Sequence, residues 1–75
     1  MPDLATELAR LAQAERHIRL GERCLSSQTL LVARLQAQGH DSATAEALLH
    51  SFDQTLQAWR DHRDLILRTI HDLGG

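Results

Sequence analysis

Apolar residues recur every seven positions through the first half of the chain. The series is Leu4, Leu11, Ile18, Leu25 and Val32, and it is flanked at helical spacing by Leu8, Ala14 and Leu35. Apolar positions three, four and seven residues apart share one side of an α-helix. The pattern therefore predicts one helix over about residues 3–38, with Asp3 as its N-cap after Pro2.

The helical pattern breaks at "QGHDSA", and residues 39–41 are predicted to form a turn. Gly39 suits the left-handed position that ends many helices, and Asp41 or Ser42 can cap the next helix. A second heptad series then follows, predicting a helix over about residues 42–72. Its members are Ala45, Phe52, Trp59, Ile66 and Leu73, flanked by Leu48, Leu49, Leu56 and Ile70.

Gly21 raises the question of whether the first helix is divided, which would give a three-helix bundle. Glycine in a helix interior costs about 1 kcal/mol relative to alanine. Its neighbours Leu20, Glu22 and Arg23 are not turn formers, however, and the heptad phase runs unchanged from Ile18 to Leu25. The pattern favours one continuous helix.

Two long helices joined by a short turn must pack antiparallel, so the chain is predicted to be an all-α, coiled-coil-like helical hairpin forming a single domain over residues 1–75. This register brings Gly21 opposite Trp59, where a glycine leaves room for the indole. The other predicted neighbours are Val32 with Leu48, Leu25 with Thr55, and Ala14 with Ile66. Two interhelical ion pairs are also predicted, Arg16 with Asp64 and Arg19 with Asp61.

Several leucines fall outside the predicted seam, namely Leu20, Leu30, Leu31, Leu65 and Leu67. A pair of helices cannot enclose a core, so this excess calls for further cover. The simplest source is a second copy of the chain, which would give a homodimeric four-helix bundle. Another helical protein would also serve as a partner.

Charge and cysteine content restrict the partners and the compartment. The net charge is −2, with eight basic residues that are all arginine and ten acidic ones. A nucleic-acid-binding domain usually has a basic excess, so no nucleic-acid partner is expected. The longest apolar run, Leu30 to Ala33, is too short to cross a membrane. Cys24, the only cysteine, is expected to be an inert, partly buried thiol, and an unpaired cysteine suits the cytoplasm.

Four polar residues lie on or beside the predicted seam: Glu22, Gln28, Thr55 and His62. Gln28 is predicted to reach Thr55. We interpret these residues as polar contacts that fix the register, since single buried polar groups often do so in coiled coils. The alternative is a metal or small-ligand site formed by His17, Glu22 and His62. The Glu-x-x-His motif of bundle metal sites is absent from the sequence, so no metal, other cofactor or catalytic residue is expected.

The segment from His17 to Leu67 resembles a group of short, uncharacterised proteins that are frequent in alphaproteobacterial genomes. Their pattern, GE-x-x-(I/L)-x-x-Q, a GHDT-like turn, AE-x-LL and later TL with HR-x-x-I, is matched here in four places. The matching residues are Gly21, Glu22, Leu25 and Gln28; Gly39, His40 and Asp41; Ala45, Glu46, Leu48 and Leu49; and Thr55, Leu56, His62, Arg63 and Ile66. Ser42 stands where threonine is commoner. The resemblance implies a helical hairpin and no catalytic activity.

These features together predict a non-enzymatic, cytoplasmic interaction or regulatory protein that acts as a homodimer. Gly21, Trp59, Gln28 and Thr55 are its expected structural residues. The leucines outside the seam form its expected interface.

Overall fold

The chain forms an antiparallel pair of long α-helices, as the heptad pattern predicted. The computed structural model describes residues 2–74, and within them helix α1 spans Leu4–Ala37 and helix α2 spans Ala43–Gly74. Helix α1 continues through Gly21 without a break. Helix α2 runs past the predicted end near Asp72 and includes Leu73 and Gly74. The all-α helical hairpin is thus confirmed.

Helix α1 begins at Asp3, which adopts an extended backbone conformation and caps the first turn. The Thr6 amide donates to Asp3 Oδ1 at 2.8 Å, and the Thr6 hydroxyl donates to Oδ2 at 3.0 Å. These two hydrogen bonds stabilise the charged carboxylate and hold the pKa of Asp3 below its ordinary value of 3.8. The carboxylate also complements the positive end of the helix dipole.

The turn ends α1 with a Schellman motif centred on Gly39. The His40 amide donates to the Leu35 carbonyl at 2.9 Å, and the Gly39 amide donates to the Gln36 carbonyl at 3.1 Å. Gly39 has a φ of 73°, which glycine adopts without the penalty of a Cβ atom. The chain reverses direction here because carbonyls at the end of α1 are satisfied without continuing the helix.

Helix α2 is capped by Asp41 rather than by the Ser42 hydroxyl. The Ala43 amide donates to Asp41 Oδ1 at 3.0 Å, and the Ser42 carbonyl accepts the first helical hydrogen bond, from the Glu46 amide at 2.8 Å. Of the two residues proposed as caps, Asp41 supplies the side chain and Ser42 the backbone position.

The two helices share a narrow seam. Its buried apolar residues are Ala14, Ile18, Val32, Leu56 and Ile66, and Leu56 alone is completely inaccessible. Four leucines of the predicted apolar series are nevertheless exposed: Leu4, Leu8, Leu48 and Leu73. Leu4 and Leu73 lie at the open end of the hairpin, whereas Leu8 and Leu48 lie one position beside the seam. Leu49 takes the half-buried position in place of Leu48.

The hairpin is a thin rod measuring 55 × 16 × 14 Å. Its radius of gyration is 16.9 Å, whereas a compact domain of this length has about 11 Å. Its accessible surface is 5486 Å², and a folded monomer of 8.4 kDa usually exposes about 4,600 Å². The chain therefore exposes roughly 900 Å² more than a compact monomer of its mass.

The cap of α1 predicts a pH dependence at its first turn. Because the folded-state pKa of Asp3 lies below 3.8, the carboxylate stabilises the cap fully above that pH. The stabilisation is lost as the pH falls through the lowered pKa. An NMR titration should show Asp3 titrating below 3.8, with the amide resonance of Thr6 shifting over the same range as its hydrogen bond to Asp3 Oδ1 weakens. Asp3→Asn is the control, because it retains an acceptor but does not titrate, and an Asp3 that titrates at or above 3.8 would contradict the prediction.

Candidate interaction surface

The two long sides of the hairpin differ in chemistry. One side carries Leu20, Leu31, Leu48 and Leu65, which are between 41% and 56% exposed; we call it the leucine face. Leu20 lines a cavity with Cys24 and Thr55, while Leu65 lines another with residues of both helices. Leu31 lies seven residues after Cys24, and Leu48 lies seven residues before Thr55, so both share the helix faces of those two residues.

The central part of the leucine face has no formal charge at neutral pH with its histidines neutral. Besides its four leucines, it presents Gln13, His17, Cys24, Ser27, Ser51, Thr55, Ala58 and His62. Aspartate, glutamate and arginine are missing from these positions, and two neighbouring arginines border them. Arg10 lines a cavity with His17 and His62, and Arg23 lines one with Cys24 and Ser27. An exposed apolar surface with a polar rim is typical of a protein–protein interaction site.

The opposite side, which we call the charged face, contains polar contacts that link the two helices. Arg60 approaches Glu22 at 4.0 Å, and the Gln36 amide donates to Glu46 Oε1 at 2.8 Å. The Glu22 and Arg60 side chains are both well exposed to solvent. Such exposed pairs contribute only about 0–1 kcal/mol each, so they mark this face as one that stays in water.

Gly21 lies against Trp59 at the centre of the rod, as the register predicted. A Cβ atom on Gly21 would lie 3.1 Å from Trp59 Cζ3 and 3.1 Å from Leu56 Cδ1. The ring of His17 lies against the same indole, with 5.5 Å between ring centroids. The glycine thus leaves room for Leu56 and Trp59 of the facing helix, and a cavity of about 190 Å³ opens beside it on the leucine face.

Gln28 is buried in the seam, but its partner is not Thr55. Its Nε2 donates to the Ala45 carbonyl at 2.9 Å, and Thr55 is exposed on the leucine face. The predicted contact was wrong because the long amide side chain reaches toward the turn, along the seam, instead of across it. The hydrogen bond still joins α1 to the first turn of α2, so Gln28 links the helices at a defined level.

Glu7 is a buried carboxylic acid that the sequence analysis did not identify as part of the seam. Its exposure is 4%, and Arg10 Nη1 lies 3.6 Å from Glu7 Oε1. It lines a cavity of about 550 Å³ at the open end of the hairpin, together with His62 and Ile66. The signal was present in the heptad spacing, because Glu7, Ala14, Gly21 and Gln28 follow one another every seven residues.

Neither of the two predicted interhelical ion pairs is present, because Asp61 and Asp64 have other partners. Asp64 lies 3.2 Å from Nη2 of Arg63, its neighbour on the same helix, and Asp61 accepts a hydrogen bond from Gln57 at 3.0 Å. The predicted partners of these two acids, Arg16 and Arg19, are exposed. Partners within one helix are nearer than those across the hairpin. The register is set by the seam and not by these charges.

The structure separates the three residues of the alternative metal site. His17 and His62 line a common cavity of about 200 Å³ on the leucine face, whereas Glu22 faces Arg60 on the charged face. Five residues along a helix rotate a side chain by about 140°, so His17 and Glu22 point to different sides. Within residues 2–74, no group of three histidine, cysteine, aspartate or glutamate side chains is close enough to hold a metal ion.

The remaining predicted interface residues fall on different sides of the rod. Leu30 is 63% exposed on the outward side of α1, two residues from both Gln28 and Val32. Leu67 is 43% exposed and lies seven residues after Arg60, on the charged face. Cys24 is half-buried on the leucine face. The leucines outside the seam therefore form one extended patch and two isolated positions.

No helix in the described part of the chain is long and apolar enough to cross a membrane. Comparison with protein-family models, with curated proteins and with solved structures gave no match.

The contact between Gly21 and Trp59 predicts the effect of filling this space. Gly21→Leu should lower the free energy of unfolding by about 2–3 kcal/mol, because overpacking outweighs the gain in helix propensity. Chemical denaturation followed by far-ultraviolet circular dichroism at one fixed chain concentration measures the change in all variants. In a double-mutant cycle, Gly21→Leu should cost much less when Trp59 is replaced by alanine. Equal costs in both backgrounds would contradict the assigned contact.

The hydrogen bond of Gln28 predicts effects of different magnitude for two substitutions of similar size. Gln28→Glu places a carboxylate against the Ala45 carbonyl and should cost about 1–3 kcal/mol at neutral pH. Gln28→Met removes the polar group, and should change stability by less than about 1 kcal/mol, because the Ala45 carbonyl keeps its place in the helix. Thermal unfolding of both variants decides the matter, and a Gln28→Met variant less stable than Gln28→Glu would contradict the assigned hydrogen bond.

Proposed function

We propose that this chain is a non-enzymatic, cytoplasmic interaction or regulatory protein that acts as a homodimer through its leucine face. The observation that carries the proposal is the contrast between the two sides of the hairpin. Leu20, Leu31, Leu48 and Leu65 are exposed on a side without formal charge, whereas the other side has charged pairs such as Glu22 with Arg60. Burial of the leucine face would desolvate no carboxylate or guanidinium group in its centre.

The extra surface of the whole rod supports a second copy as the occupant of the leucine face. A standard interface buries about 800 Å² on each partner. The excess surface of the hairpin, roughly 900 Å² over a compact monomer, is of the same size. Two identical hairpins can dock with two-fold symmetry, and the product is a four-helix bundle with a core between four helices instead of a seam between two.

The cytoplasmic part of the proposal is supported by the single, unpaired Cys24, since such thiols are usual in reducing compartments. A dimer formed through the leucine face leaves Leu8 and Leu67 in solvent, because both residues lie on the charged face. Leu67 is on this face because it follows Arg60 by seven residues. These two exposed leucines offer apolar contacts on the charged face to another helical partner.

The proposal predicts a dimer in sedimentation equilibrium that depends on the leucine face. Leu20→Glu should raise the dimer dissociation constant by about 100-fold or more, because each symmetric interface would bury the new carboxylate twice. Leu30→Glu is the matched control: it introduces the same charge on the same helix, and its side chain points away from the leucine face. Its dimer affinity should stay within a few-fold of the parent chain.

The same comparison is available on α2, where Leu65→Glu should dissociate the dimer and Leu67→Glu should not. Circular dichroism of each variant checks that the hairpin remains helical. A parent chain that is monomeric at all accessible concentrations would overturn the proposed function. A dimer weakened by Leu30→Glu and Leu67→Glu, and not by the other two, would place the interface elsewhere.

A further inference from the structure

From the order of residues along the leucine face, we infer that two copies dock with their turns at the same end of the bundle. In this arrangement, Leu31 of each copy packs against Leu48 of its partner. The inference rests on the proposed function and specifies the surface and orientation of the partner. It follows from which residues of α1 and α2 lie at the same position along the axis of the rod, which we call their height.

The symmetry axis of a two-fold dimer through a single face lies in the plane of the interface, so two rods that pack along their whole length have only two orientations. If the axis runs along the rod, both turns are at one end, and α1 of each copy faces α2 of the other at the same height. If the axis crosses the rod, the turns are at opposite ends, and each helix faces its own copy in the reverse direction.

The residues of the leucine face occur in pairs that share a height. Cys24 and Thr55 line one cavity, and His17 and His62 line another. One heptad from Cys24 and Thr55 toward the turn, the pair is Leu31 and Leu48. One heptad from the histidines toward the open end, the pair is Arg10 and Thr69, which line a third cavity together.

Docking with the turns at the same end puts each pair against its own copy. The four leucines at positions 31 and 48 then form one continuous apolar layer, and Leu20 faces the small side chain of the partner's Ala58. Arg10 faces the partner's Thr69 at the edge, without a second cation opposite. Apolar layers of this kind stabilise the core of four-helix bundles.

Docking with the turns at opposite ends about the middle of the rod mismatches the same pairs. Gly21 is near that middle, so the height of Leu31 and Leu48 coincides with the height of the partner's Arg10 and Thr69. Each leucine pair would then cover the guanidinium group of Arg10, which lies 3.6 Å from Glu7 Oε1 but is otherwise well exposed to water. The group would lose that hydration without gaining a carboxylate from the partner. This penalty occurs twice in a symmetric dimer, so the orientation with both turns at one end is favoured.

Distances between spin labels on the two copies test the orientation. His40→Cys in a Cys24→Ser background places one label in the turn of each copy, and Ala5→Cys in the same background labels the exposed first turn of α1. We expect each labelled dimer to give a short distance, about 15–30 Å, given helix spacings of about 10 Å and the reach of the labels. Mixed dimers, with position 40 labelled on one copy and position 5 on the other, should give distances close to the 55 Å length of the rod.

The reverse pattern, long distances in both matched dimers and a short one in the mixed dimer, would overturn the inferred orientation and leave the proposed homodimer intact. Absence of an interchain signal, together with a monomer in sedimentation equilibrium of the unlabelled parent chain, would overturn both proposals. If Cys24→Ser itself weakens the dimer, Cys24→Ala provides the background, because it removes the thiol without adding a polar group. Either background gives one of these outcomes.

Discussion

A two-helix hairpin can bury only one stripe of each helix, and this constraint determines the remaining properties of the molecule. The buried stripe of α1 is narrow because one of its heptad positions is occupied, in successive heptads, by Glu7, Ala14, Gly21 and Gln28. Small and polar residues at these positions draw the helices together but contribute little apolar area. The seam fixes how the helices align, and Leu56 and Trp59 of α2 pack against Gly21 at its centre. Stability beyond that must come from surfaces outside the seam.

The architecture was predictable because it depends on features that repeat along the chain. The heptad series, the left-handed Gly39 and the unbroken phase through Gly21 each report on backbone geometry, and all of them lead to the observed hairpin. The opposition of Gly21 and Trp59 followed from the same register, and a Cβ atom on Gly21 would lie only 3.1 Å from the indole.

The details that failed depend on the reach and freedom of individual side chains. Asp64 was predicted to pair with Arg16 and instead lies beside Arg63, because long charged side chains have many nearby partners of similar energy. Gln28 bonds to the backbone of Ala45 for a similar reason. Leu48 and Leu49 both fit a helical apolar spacing, and only the packing of α2 against α1 shows that Leu49 faces the seam. Glu7 was overlooked because hydrophobic pattern analysis assigns a carboxylic acid to the surface.

The difference between the two long sides of the hairpin follows from what each must do in water. On the charged face, side chains such as Glu22 and Arg60 keep their hydration, and their attraction to each other is weak. Burial of this face would therefore remove that hydration without a comparable gain. On the leucine face, the exposed residues are apolar, small or uncharged, and hydration of the leucines is unfavourable. Because the seam has already been used to join the two helices of one chain, the leucine face is the only long apolar surface left with which the described hairpin can reduce its exposed area. The proposed homodimer follows from this contrast, because it would bury the leucine face of each copy and leave the charged face in water.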